Sequence, residues 1–174
     1  MVAKDTPIVA ALERACFSSA WEPSAFLNEL SNPAAVYYVA RCCGGIVGFA
    51  GMWVAMDEAH FTLVGVVRGH RGQGIGTLLV IELLDEAVRR GATRATLEVR
   101  ELNFAAQRLY LRLGFKSVGK RPRYYTDTDE DALIMWAEKI HLPDAVERRR
   151  VIRESAEATR TCRSSLSARS EADA

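Results

Sequence analysis

The run Arg71-Gly72-Gln73-Gly74-Ile75-Gly76 sets three glycines between an apolar strand and an amphipathic helix. Glycines at a helix start let several backbone N–H groups converge where the positive end of the helix dipole already stands. Such a loop binds anions, phosphate above all. Two phosphate-binding patterns do not match it. A P-loop needs Gly-Lys-Ser/Thr entering the helix, whereas this helix opens Gly76-Thr77-Leu78. The dinucleotide fingerprint needs a third glycine where Thr77 stands, and an acidic strand end about 20 residues further on that is not found in register. The spacing that fits is R/Q-x-x-G-x-G/A, filled by Arg71, Gly74 and Gly76. On its residues alone, the loop also reads as a glycine-rich turn without a ligand.

Two more groups could handle protons. In Thr93–Arg100, Ala95, Leu97 and Val99 share one face of a strand, and Thr96, Glu98 and Arg100 the other. Glu98 is there either a general base or a partner for Arg100. A helix then starts at Asn103, a good N-cap residue, carries Ala106, Leu109, Tyr110 and Leu113 on one side, and stops at Gly114. A phenol with an unperturbed pKa of about 10 stays protonated at neutral pH and can act as a general acid. Tyr110 reads equally as the aromatic of a buried stripe.

The glycine loop resembles the pyrophosphate-binding loop of the GNAT acetyltransferases, which hold acetyl-coenzyme A. The run LEVRELNFAAQRLYLRLGF, residues 97–115, is similar to the second acetyl-coenzyme A motif of that superfamily. More narrowly, it resembles the RimI branch, the ribosomal-protein alanine N-terminal acetyltransferases. Arg123-Tyr124-Tyr125 through Asp131–Met135, and Ala20-Trp21 with Phe26, continue the likeness, which covers roughly residues 8–140. The resemblance implies an α/β GNAT fold, with a mixed, mostly antiparallel central sheet flanked by helices. Two departures stand out. Little more than Met1–Pro7 precedes the first helix, so the usual first strand is shortened or missing, and the usual V-x-P turn before the loop is Val66-Val67-Arg68.

The resemblance also implies roles. Backbone groups of Arg71, Gly72, Gln73, Gly74, Ile75 and Gly76 would hold the pyrophosphate. Val64, Gly65 and Val66 would pair with the pantetheine arm as an added strand does, and the N–H near Val66 would polarise the thioester carbonyl. Glu98 takes the position of the base, and Tyr110 that of the acid beside the cofactor. Asn103 hydrogen-bonds the cofactor or only caps its helix. Trp21, Tyr124 and Tyr125 would flank the acceptor, a packing role being the alternative for the two tyrosines. The implied acceptor is a protein N-terminus, that of a small-subunit ribosomal protein starting with alanine. A broader N-terminal or lysine acetyltransferase and a non-catalytic acyl-coenzyme A sensor are the alternatives.

The 174 residues, 49% of them apolar, suit one domain with a sizeable core. No apolar run reaches the ~18 residues of a membrane span, and the N-terminus lacks a signal-peptide pattern, so a cytoplasmic protein is expected. A net charge of +1 predicts no direct nucleic-acid binding. Cys16, Cys42, Cys43 and Cys162 lack metal-ligand spacing with His60, His70 or His141, so no metal is expected. The cysteines read as small buried residues or free thiols.

Periodicity predicts helices over 8–17 and 23–30, strands over 36–40, 46–56 and 60–67, the loop and its helix ending at Gly91, the Glu98 strand, the Tyr110 helix, and strands near 115–121 and 131–139. Arg123, Tyr124 and Tyr125 fall in the loop between those last two. Residues 1–142 are expected to form the acetyltransferase domain and 143–174 a charged extension. Asp144–Arg160 reads as a helix with a basic patch at Arg148, Arg149, Arg150 and Arg153, and Thr161–Ala174 as disorder. That extension is either solvated or a contact for RNA or an acidic partner.

Overall fold

The structure, a computed structural model, describes the backbone of residues 1–17, 21–42 and 44–172, with side chains as far as Arg160. Ala20, Cys43 and the side chain of Cys162 lie outside the described residues, as do the side chains of the stretch expected to be disordered. In chain order the described residues form α1 (Thr6–Cys16), α2 (Pro23–Ser31), β1 (Ala35–Cys42), β2 (Gly45–Ala55), β3 (Glu58–Val66), α3 (Ile75–Arg89), β4 (Arg94–Arg100), α4 (Phe104–Arg112), β5 (Lys116–Tyr125), β6 (Glu130–Ala137) and α5 (Pro143–Ala172). The strands make one sheet in the order β1-β2-β3-β4-β6-β5. Every neighbouring pair is antiparallel except β3 against β4. Among the described residues no strand precedes α1, the departure expected from the short N-terminus. No described helix is long and apolar enough to cross a membrane.

The sheet is covered on both sides where it needs to be rigid. On β2, Val47, Ala50 and Met52 join the core built on Ile75, Leu79, Leu83 and Ala87 of α3, while Ile46 and Phe49 join Val9, Ala10 and Phe26 of α1 and α2. This explains why β2 reads as a nearly unbroken apolar run rather than an alternating one. α3 shows the helical stripe that its spacing predicts, and Gly91 follows its end at φ +90°. Cys16 is a free thiol.

Two expectations need correction. The segment Arg123–Tyr125 is not a loop. β5 runs to Tyr125, across an irregularity in which Arg123 takes φ +49° and its N–H donates to Asp131 Oδ1 at 2.8 Å. Tyr125 then pairs with Glu130. Nor is the charged extension a solvated basic patch. α5 lies along α3, burying Ile152 and Ala156. Arg149, 3% exposed, donates through Nε to Asp85 at 2.7 Å and through a terminal nitrogen to the Ile140 carbonyl at 2.8 Å. Arg153 binds Glu82 and Asp85, and Arg150 binds Glu147 and Glu154 on its own helix. Arg149 and Arg153 of α5 thus pair with the acidic outer face of α3. That match is invisible in a reading of either helix alone.

Candidate active site

The sheet opens at one end. β3 stays paired with β2 as far as Val66, but with β4 only from Glu58 to Phe61, whose partner is Leu97. β4 continues to Arg100 against β6. Beyond Phe61 and Leu97 the two strands part and leave a cleft. The Val67 N–H points at the Val47 carbonyl, 3.0 Å away on β2. Backbone direction alternates along a strand, so Val64 and Val66 turn their N–H and C=O groups into the cleft. Gly65 faces β2 instead, and the Phe49 ring fills the space a side chain would need there. The Val66 carbonyl accepts Arg71 Nε at 2.9 Å, and the Cys16 thiol stands 3.8 Å from it.

The 71–76 loop closes the cleft at the head of α3. Gly72 and Gly74 take φ +71° and +80°, left-handed conformations that favour glycine. No side chain caps α3. Among the described residues, no backbone or side-chain acceptor takes the N–H groups of Gly72, Gln73, Gly74, Ile75 or Gly76. Arg71 folds back to Val66, and Gln73 donates to the Gly69 carbonyl at 3.1 Å. The side chains thus brace the loop and leave the amides for a ligand. A cradle of free amides on a helix N-terminus fits a diphosphate.

Glu98 lies on β4 across the cleft. Its side chain is 9% exposed. Oε2 is 2.8 Å from His60 Nε2, and Oε1 is 3.2 Å from an Arg121 guanidinium nitrogen. The hydrogen bond from His60, aided by the charge of Arg121, holds the carboxyl below its ordinary range despite burial. Glu98 is therefore ionised at neutral pH. A lowered folded pKa means that the group adds stability above the ordinary value of 4.5, and that this is lost as pH falls through the folded value. Glu98→Gln should therefore shrink the drop in Tm between neutral pH and about pH 3 relative to the unsubstituted chain. An unchanged drop would mean that the pair is not formed.

Tyr125 lies beside Glu98, and the other two tyrosines neighbour Tyr125. Tyr125 Oη donates to the Glu98 backbone carbonyl at 3.4 Å, and Arg100 stacks 4.0 Å over its ring. Burial pushes the Tyr125 phenol up to about 12. Arg100 is tied to Asp127 and Glu130, which fixes the turn after Tyr125. Tyr124, 44% exposed, meets Tyr125 edge to face with centroids 5.2 Å apart. Tyr110 is buried on α4, against Phe115 at 5.7 Å. Burial, with a smaller contribution from Tyr125, pushes its phenol well above the usual range. Asn103 Oδ1 accepts the Ala106 N–H at 3.1 Å, so its oxygen caps α4 and its amide nitrogen remains a donor. Trp21 stands apart from this group, in the α1–α2 core. Its ring is 5.4 Å from that of Phe26, and its backbone N–H donates to the carboxylate of the buried Glu13.

His60 and Arg121 are the participants that the sequence reading missed. They meet Glu98 through register: His60 is the parallel neighbour of Thr96, and Arg121 pairs with Ala132, the neighbour of Arg100. No spacing within one segment announces such a meeting. The only local signal is the alternation that put Glu98 on the same face as Thr96 and Arg100.

Residues 7–115 match the acetyltransferase (GNAT) family. The chain is 42% identical over 119 residues to the N-alpha-acetyltransferase RimI of Mycobacterium tuberculosis, covering 66% of this chain and 73% of that one. It is 33% identical over 133 residues to the ribosomal protein bS18-alanine N-acetyltransferase of Escherichia coli K12, covering 75% and 89%. The crystal structure of the Escherichia coli ribosomal-protein-S18-alanine N-acetyltransferase superposes with a TM-score of 0.72 at 31% identity, over 80% of this chain and 90% of that one.

Proposed function

The chain belongs to the GNAT acetyltransferase family, and on that premise we propose that it moves the acetyl group of acetyl-coenzyme A to the N-terminal α-amine of a protein, a ribosomal protein beginning with alanine. The observation that carries this is the cleft itself. It has free amides at one end, inward-facing backbone of Val64 and Val66 along one wall, and an ionised carboxylate across from them. The acceptor follows from the relatives named as bS18-alanine N-acetyltransferases.

Bound acetyl-coenzyme A supplies an activated acyl group as a thioester. The loop amides of residues 72–76 hold its phosphates, and the Val66 N–H polarises the carbonyl. An α-ammonium has a pKa of about 8, so freeing the amine at neutral pH needs only a positioned base. Glu98 is that base, reached directly, through water, or through the His60 ring that it orients. The amine nitrogen bonds to the carbonyl carbon, the carbon–sulfur bond breaks, and Tyr110 gives its proton to the departing sulfur. Burial keeps the phenol protonated at neutral pH, so it stands as a hydrogen-bond donor to the sulfur as negative charge develops there.

Tyr125, fixed between Arg100 and Glu98, supports Tyr124, whose exposed ring meets the acceptor peptide. Tyr124→Ala should raise KM for a peptide acceptor about 5- to 10-fold while leaving KM for acetyl-coenzyme A alone. Equal acceptor KM in the two proteins would move Tyr124 out of the acceptor site. The function is tested with peptides identical except for the first residue. The reading predicts the highest kcat/KM for alanine, and equal rates for every first residue would remove the alanine assignment.

A further inference from the structure

We infer that α5 is an outer wall of the coenzyme site, and that its turn at Ala156 sets the position of the phosphate loop. The inference rests on the reading of the 71–76 loop given above and extends it to an element outside the family match at residues 7–115.

Contacts along the two helices fix the direction of α5. Arg149 meets Asp85, Arg153 meets Glu82 and Asp85, and Ala156 meets Gly74. α5 therefore runs antiparallel to α3, back toward the N-terminus where the free amides stand. At Gly74 the approach is close. A Cβ there would lie 2.8 Å from the Ala156 carbonyl oxygen, 3.1 Å from its Cβ and 3.2 Å from its Cα. Gly74 is thus required twice, by its φ of +80° and by the helix against it.

The helix is anchored well enough to impose a position. Ile152 and Ala156 are buried, at 8% and 7% exposed, and Arg149 is buried with its donors on Asp85 and Ile140. Gly72 has open space around it, whereas Gly74, next to the first turn of α3, is held from outside. Loop amides bind an anion well only if their directions are set in advance. α5 supplies that setting from behind the loop, so a larger residue at 156 would tilt the amides without touching Glu98 or Tyr110.

The test uses full-length Ala156→Leu, compared with Val151→Gln on the exposed side of the same helix. Overpacking at 156 should raise KM for acetyl-coenzyme A roughly tenfold, with kcat and acceptor KM unchanged. Val151→Gln should behave as the unsubstituted chain. If Ala156→Leu does not fold, as judged by its thermal transition, Ala156→Ser adds a single oxygen and should give a smaller rise of the same kind. An unchanged KM for acetyl-coenzyme A in a folded variant overturns the inference, as does a fall in kcat with KM intact. If the unsubstituted chain neither binds nor uses acetyl-coenzyme A, it is the proposed function that fails.

Discussion

Glu98→Gln is expected to lower kcat by about 10²- to 10⁴-fold, while KM for acetyl-coenzyme A stays within roughly twofold. Gln keeps the shape of the side chain and a carbonyl oxygen for His60, but it cannot accept the proton of the attacking amine. The lowered pKa sharpens this expectation. The carboxylate is already ionised at neutral pH, so no raised-pKa acid limb should appear in the profile of the unsubstituted enzyme. The slow step left in Glu98→Gln should depend on how much free amine solution chemistry provides, and its rate should rise with pH toward the amine pKa of about 8. Steady-state kinetics with each substrate varied would check both statements. Unchanged turnover would remove Glu98 from the chemistry and leave it as a partner for His60 and Arg121.

Tyr110→Phe comes next in size. Its ring is part of the core with Leu113 and Phe115, and Phe preserves that packing. The fold should lose little, on the order of 1 kcal/mol. Under the proposed mechanism the reaction should lose about 10²-fold in kcat, because Phe has no proton to give the departing sulfur. Kinetics and thermal unfolding of one sample separate the two readings of this residue. Turnover and Tm both intact would make Tyr110 the packing aromatic of a helix stripe, and loss of turnover with Tm intact would make it the acid.

Much of this arrangement was legible in the chain because it is local. A 3.6-residue stripe announces α3, and a left-handed glycine announces its end. Alternation along β4 put Ala95, Leu97 and Val99 inward and Glu98 on the other face. Asn103 capped the helix that it was expected to start. What escaped is set by pairs distant in sequence. His60 and Arg121 reach Glu98 only because β3 lies parallel to β4 and β5 lies beyond β6. The end of β5 was missed because Arg123 adopts a positive φ and the strand resumes beyond it. The docking of α5 was missed because a run of Arg, Glu and Ala looks solvated until the acidic face of α3 is set against it. In each case composition states the charge, and topology decides its partner.

The most direct test of the central claim is the position of the acetyl group on one peptide. The peptide begins with a free alanine, carries a lysine inside, and is incubated with acetyl-coenzyme A and the enzyme before fragment masses are read. The account predicts acetylation at the α-amine alone, and no product when that amine is blocked beforehand. Acetyl on the lysine side chain, or equal product from the blocked peptide, would contradict it.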